Sequence, residues 1–170
     1  MTVRSVADPD EKTAVTLAVT HALPAWFSPP EEIDRKARLH RDLPFFAADR
    51  EGEPVGFLAL RPHNGYTAEI LNLGVLEPLH GQGVGSRLLA AAEAECVRRG
   101  LVYLTVKTLD SSVDYEPYER TRRFYSKAGF LPLEVFPTYW NPQNPCLFLV
   151  KRLPAQPNHT DNDHTEEELS

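Results

Sequence analysis

Cysteine is scarce in this 170-residue sequence: Cys96 and Cys146 are the only two. That is too few for a disulfide framework. No run of 18 apolar residues occurs, so no membrane-spanning helix is expected. The opening residues, MTVRSVADPD, lack the apolar core of a secretory signal, and a reduced, cytoplasmic setting is the expectation. No long basic stripe offers itself to nucleic acid, and no internal repeat is visible. Residues 155–170 lack positive charge altogether: they carry Asp161, Asp163, Glu166, Glu167 and Glu168 and no Lys or Arg. They account for nearly all of the formal net charge of -6, so the body of the chain is close to neutral. This end also lacks apolar residues to bury, so 154–170 is expected to be a disordered tail behind one domain over 1–153. Its histidines, His159 and His164, read as solvated side chains rather than metal ligands, because nothing nearby would fix a ligand geometry. No metal site is expected elsewhere.

What is abundant is punctuation. Fifteen prolines divide the chain into short elements. Residues 2–7 alternate as an edge strand. Asp8 and Pro9 suit the N-cap and first position of a helix whose apolar spacing runs through Ala14, Leu17, Ala18 and His21. A charged helix is predicted over 30–42, with Ile33, Ala37 and Leu39 as its apolar positions. Strands at 45–49 and 55–61 flank a turn of hairpin chemistry, and Asn64-Gly65 turns into a third strand, 66–76. Val84, Leu88, Ala91, Ala92 and Cys96 then fall on one helical face that stops at Gly100. Residues 101–106 form an apolar strand of the kind covered on both faces. A second helix starts near Pro117, with Thr121, Phe124, Tyr125 and Ala128 on one side. Strands at 131–137 and 147–151 close the chain. The order β-α-α-β-β-β-α-β-α-β-β implies a mixed α/β (α+β) sheet, mostly antiparallel, with a central parallel strand pair and helices on both faces.

Between the third strand and the next helix stands His80-Gly81-Gln82-Gly83-Val84-Gly85-Ser86. Glycines let a ligand approach the backbone, and the first N–H groups of a helix are unpaired and lie at its positive end, so this is an anion site fit for a phosphate or pyrophosphate. It is not a dinucleotide fingerprint: from Gly81 or Gly83 the final glycine or alanine position falls on Ser86 or Leu88. It is not a P-loop either, since no Gly-Lys-Ser/Thr follows.

Leu73-Gly74-Val75 followed by His80 through Leu89 resembles the acetyl-CoA-binding motif of the GNAT superfamily of N-acetyltransferases. Arg122-Arg123-Phe124-Tyr125-Ser126-Lys127-Ala128-Gly129-Phe130 resembles that family's second block, and the element order is also the family's. Four positions depart from the pattern. His80 stands where Arg or Gln is usual, Glu77 stands at the usual proline position, and Tyr118 and Thr121 stand where Asn and Ala are frequent. The resemblance implies acetyl-CoA as co-substrate, bound by Leu73, Val75, His80, Gly81, Gln82, Gly83, Val84, Gly85, Ser86 and Tyr125. It implies Tyr125 as general acid toward the leaving thiolate and the Leu73 N–H as oxyanion donor.

Transfer of acetyl from a thioester to an amine also needs a base, because an ammonium of ordinary pKa ~10 is protonated at neutral pH. Glu69 is the candidate. In a strand without a bulge it shares a face with Leu71, Leu73 and Val75, and a carboxylate desolvated on an apolar face gains the proton affinity a base requires. Its offset from the glycine loop also matches the base of the histone-acetyltransferase branch. Asp114 and Glu116 are rivals. Arg120, Arg122, Arg123 and Lys127 form a basic patch that could meet the 3′-phosphate of CoA. Trp26, Phe27, Tyr115, Tyr139 and Trp140 are placed in loops, where they could pack over the sheet ends or line a substrate cleft. The expected partner is a small-molecule amine, and the chain a monomer or homodimer. The alternatives are a protein or peptide amine as acceptor, or a CoA-binding module without catalysis. Retention of Tyr125 and Glu69 argues against the latter.

Overall fold

The computed structural model of the protein describes residues 1–157. The expectations for the tail beyond that point, including His159 and His164, lie outside the described residues. The elements are β1 (Thr2–Ser5), α1 (Pro9–His21), α2 (Pro30–His40), β2 (Phe45–Arg50), β3 (Glu53–Pro62), β4 (Thr67–Val75), α3 (Val84–Arg98), β5 (Tyr103–Leu109), α4 (Glu116–Lys127), β6 (Leu131–Asn141) and β7 (Asn144–Arg152). A single 3-10 turn, Glu77–Leu79, precedes the glycine loop. The strands form one seven-stranded sheet in the order β1-β2-β3-β4-β5-β7-β6. β4 and β5 are parallel, and every other neighbouring pair is antiparallel. The mixed architecture expected from the sequence is the one observed.

Two cores lie on the two faces. On one, Leu58, Leu60, Ile70, Leu104 and Val106 pack against Val84, Leu88, Ala92 and Cys96 of α3. On the other, Phe45, Phe57 and Ala59 meet Val15 and Val19 of α1 and Ile33 of α2. Each fully buried aliphatic or aromatic side chain among these contributes ~1.5–3 kcal/mol.

α1 starts as its sequence dictates. The Asp8 side chain accepts from the backbone N–H of Asp10 and Glu11, with Pro9 in the first turn. Its buried face, however, is Lys12, Val15, Thr16, Val19 and Thr20, not the Ala14-Leu17-Ala18-His21 stripe. The polar members of that face are satisfied. Lys12 Nζ donates to the carbonyls of Arg41 and Leu43 at 3.2 and 2.7 Å, and Thr20 donates to the Thr16 carbonyl. Apolar spacing alone could not identify this face, because hydrogen bonds rather than hydrophobicity cover half of it.

The register of β4 overturns a second expectation. Ala59 opposes Asn72 but Leu60 opposes Ile70, so Leu71 is the extra residue of a bulge. Every side chain before the bulge changes face relative to those after it. Leu73 and Val75 lie with Ile70 on the α3 side, whereas Glu69 shares the opposite face with Asn72 and Gly74, across from Arg61, Ala59 and Phe57. Glu69 therefore does not share a face with Leu73 and Val75.

Tyr139 and Trp140 are not in a loop. β6 extends past Pro137 to Asn141, and both are exposed on it. Pro137 is tolerated because β6 is the edge strand, and its pairing with β7 is irregular between Phe136 and Asn141.

Candidate active site

β4 and β5 pair only from Thr67↔Tyr103 to Ile70↔Val106. Beyond the Leu71 bulge they diverge, and β5 continues with β7 alone. The orientation of the freed β4 backbone follows from one bond: Leu76 N–H donates to Val55 O at 2.9 Å, toward β3. Successive N–H groups of an extended strand point to opposite sides. The N–H groups of Leu73 and Val75 thus point away from β3, into the opening.

That opening is the inner end of a cleft of about 630 Å³, lined by Leu73 and Val75 of β4, residues 79–81 and 83–86 of the loop, Trp26, and Arg120, Thr121, Phe124 and Tyr125 of α4. The Gln82 side chain instead donates to the Pro78 carbonyl at the surface. Its outer end is the glycine loop. Gly81 and Gly83 hold φ of 75° and 81°, the left-handed region that a Cβ disfavours. Gly83 is the N-cap of α3, and no side chain caps that helix, so its leading N–H groups face the cleft as anion donors. Gly85 is glycine for a different reason: a Cβ there would stand 3.1 Å from the Phe124 ring, where α3 and α4 touch.

His80, at the family's Arg or Gln position, turns back into the cleft. Its Nε2–H donates to Val75 O at 2.6 Å, so it occupies a backbone acceptor on the open side of β4. The Trp26 indole stands edge-on to His80 with centroids 5.3 Å apart. Trp26 Nε1–H also donates to Pro117 O and Thr121 Oγ1, at 3.1 and 3.2 Å. Tyr118 donates to Trp26 O, Tyr115 to Ala25 O, and the Arg120 guanidinium lies over the indole. Tyr118 and Thr121, two departures from the family pattern, are thus the residues that clamp the 22–29 segment onto α4. Neither side chain signals this alone. The clue was the unusual pair together with a tryptophan in a proline-bounded loop.

Tyr125 is buried between Phe124 and Phe130, edge-on to both. It lines the cleft, and its hydroxyl has no hydrogen-bond partner among the described residues. Burial pushes its phenol pKa well above the ordinary value. It therefore stays protonated, as a donor must.

Glu69 is 4% exposed, but it does not stand alone on an apolar face. Oε1 meets Lys107 Nζ at 3.0 Å and Oε2 meets His63 Nε2 at 2.8 Å. Lys107 lies over the Tyr139 and Phe148 rings. Beside it, Asn72 Oδ1 accepts from His40 Nε2–H at 2.9 Å, and His40 Nδ1 accepts from the Thr16 hydroxyl at 2.8 Å. Burial pushes the His40 imidazole down to about 4, the Asn72 bond only partly opposing it. The rival bases are elsewhere. Glu116 is exposed and paired with Arg120, and Asp114 borders a separate open depression with Glu119, Arg122 and Ser126.

In the basic patch, Arg122 turns to the Leu109 carbonyl and Arg120 and Arg123 are ion-paired. Lys127 lines the cleft without an ion pair among the described residues. Cys96 and Cys146 are free and buried, and burial raises both thiols, Cys96 to about 11, so neither is a reactive thiolate. No cluster of metal-ligating side chains occurs among the described residues, and none of their helices is long and apolar enough to cross a membrane.

Comparison with known proteins meets this geometry. The model of the acetyltransferase (GNAT) family matches residues 13–130. The chain is 35% identical over 86 residues to an aminoalkylphosphonate N-acetyltransferase of Salmonella typhimurium, covering 48% of this chain and 52% of that protein. The chain spans about half the length of the curated relatives it matches. Among solved structures, an acetyltransferase of the GNAT family from Desulfovibrio desulfuricans superposes with a TM-score of 0.77 at 20% identity, covering 90% of this chain and 99% of that one. An aminoglycoside 6′-N-acetyltransferase complexed with coenzyme A superposes with a TM-score of 0.74 at 19% identity, covering 93% and 100%. At such identities these structures speak for the fold.

Proposed function

The chain belongs to the GNAT acetyltransferase family, and from that premise we propose that it moves acetyl from acetyl-CoA to the primary amine of a small molecule by direct attack. The observation that carries this is the β4–β5 opening. Its free N–H groups at Leu73 and Val75 connect, through one cleft, to the unpaired end of α3. Gly81, Gln82, Gly83, Val84, Gly85 and Ser86 seat the pyrophosphate, Val75 pairs with the pantetheine arm, His80 packs beside it, and Lys127 is the free cation for the 3′-phosphate.

Glu69 accepts the proton of the acceptor ammonium. The freed amine attacks the thioester carbonyl, and the oxyanion takes the Leu73 N–H. As the carbon–sulfur bond breaks, Tyr125 donates its phenolic proton to the thiolate, and the second proton, which the attacking nitrogen sheds, passes through water to restore the phenol. An N-acetyl amine and free CoA leave. A small acceptor fits the clamp of Trp26 across the cleft, which narrows the space a peptide would need, and the aminoalkylphosphonate for which the Salmonella relative is named is itself a small amine.

The test is acetyl-CoA turnover against a panel of small amines and amine-bearing peptides, read as thiol release. Turnover on small amines supports the proposal. Turnover confined to peptides would move the acceptor to a protein, and binding of CoA without turnover on any amine would make the domain a binding module.

A further inference from the structure

A buried base must be emptied of its proton before each new turnover. Glu69 is 5% exposed at its side chain, so water does not reach it freely, and its two oxygens have different neighbours. The Lys107 ammonium on Oε1 has three donors and no lone pair, so it cannot take a proton. The His63 imidazole on Oε2 can. His63 follows the end of β3, and its side chain is 39% exposed. Its Nδ1 has no hydrogen-bond partner among the described residues. Arg61 lies opposite Glu69 in the β3–β4 register, Tyr139 stands over Lys107, and Cys146 approaches from β7. The guanidinium of Arg61 is always charged and the Cys146 thiol is held protonated by burial, so neither offers an acceptor. By position along the strands, His63 lies on the side of Glu69 away from Leu73, so the carboxylate stands between the reacting carbonyl and the imidazole.

We propose that His63 is the proton outlet of Glu69. Against the ionised carboxylate His63 carries its hydrogen on Nε2, so the relay begins with a change of tautomer. Once the acceptor amine has protonated Glu69, the half-exposed imidazole exchanges through water to its Nδ1–H form, and the bare Nε2 takes the proton from Oε2. The Nδ1–H of the imidazolium is then released to water, leaving Nε2–H on the carboxylate. Glu69 returns ionised and hydrogen-bonded as before. Lys107, held by Glu69 and by the two aromatic rings, positions the carboxylate without sharing in the transfer.

This rests on Glu69 being the base, and the experiment separates the two. Steady-state turnover is measured for wild type and for His63→Ala, His63→Gln and Glu69→Gln, with melting temperatures to confirm folding, with and without added imidazole. His63→Ala is expected to lower kcat on the order of 10²-fold, near the lower end for acid–base groups, with acetyl-CoA affinity unchanged. Imidazole restores much of that loss. His63→Gln, which can hydrogen-bond Glu69 but cannot relay a proton, stays as slow as His63→Ala. In a Glu69→Gln background, His63→Ala adds nothing and imidazole rescues nothing. Wild-type kcat in His63→Ala, recovery in His63→Gln, or no response to imidazole would each overturn the outlet while leaving Glu69 as base. A fully active Glu69→Gln enzyme would instead remove the base assignment itself.

Discussion

The two faces of the β4–β5 opening are made of different materials. On the α3 side the cleft that we propose for acetyl-CoA presents its anion and amide donors from the backbone: the N–H groups of Leu73 and Val75, two left-handed glycines, and the uncapped start of α3. On the other face, where we propose that the acceptor binds, side chains gather from four elements and a turn: Thr16 of α1, His40 of α2, Glu69 and Asn72 of β4, Lys107 of β5, and His63 just beyond β3. A backbone site is fixed by a few contiguous residues and changes little with the identity of the others. A side-chain site depends on every member and on the register that assembles it, and here that register turns on the single bulge at Leu71.

The comparison predicts that acceptor-side changes damage rate and changes in the glycine loop damage affinity, while Tyr125, a side chain on the cofactor side, acts on rate. The largest effect is expected from Glu69→Gln, which should lower kcat ~10²–10⁴-fold, the range of an acid–base group. Part of the loss should return at high pH, where an amine of pKa ~10 deprotonates unaided. A kcat–pH profile for the variant checks this.

The scaffold of the acceptor side should fail in acid. Burial pushes the native His40 imidazole down to about 4, against 6.5 for the unperturbed side chain. Above pH 6.5 the group is neutral in both folded and unfolded chains and contributes no pH dependence. As pH falls from 6.5 to 4, the unfolded chain binds a proton that the native state refuses, and stability drops by about 3 kcal/mol. Denaturant unfolding at pH 7 and pH 4 measures the drop, and His40→Gln should shrink it. An equal drop in the variant would show that other groups govern the acid response.

Tyr125→Phe touches the chemistry from the cofactor side. It should lower kcat by about 10–10²-fold, at or below the low end for a general acid because a thiolate leaves well, with acetyl-CoA affinity and melting temperature nearly unchanged. Unaltered kcat would reduce Tyr125 to a packing residue between Phe124 and Phe130.

The effect of Gly83→Val falls on affinity instead. A β-branched residue at φ 81° costs about 1–3 kcal/mol of backbone strain, and relief of that strain distorts the anion site. Acetyl-CoA should bind roughly 5–150-fold more weakly by calorimetry. Gly85→Val differs in kind: its side chain pushes on Phe124, so melting temperature should fall together with affinity.

The same division explains what could be seen in advance. The glycine loop, the Asp8-Pro9 helix start and the strand–helix alternation are local in sequence, and each appears in the structure where its residues place it. Glu69 stood out as a carboxylate in an apolar strand, but its face, its Lys107 partner and its His63 partner did not. A one-residue bulge leaves no mark in composition, and Lys107 lies 38 residues away along the chain. The buried face of α1 was hidden because Lys12, Thr16 and Thr20 read as solvent-facing until the carbonyls and the imidazole they meet are in place. Tyr139 and Trp140 sat next to prolines that break interior strands, and only the edge position of β6 makes Pro137 harmless.

The separation of the two faces is tested most directly by calorimetric titration of CoA into Glu69→Gln and Gly83→Val alongside wild type. The account predicts wild-type CoA affinity in Glu69→Gln despite its lost turnover, and clearly weakened affinity in Gly83→Val. Weakened binding in Glu69→Gln, or wild-type binding in Gly83→Val, would contradict it.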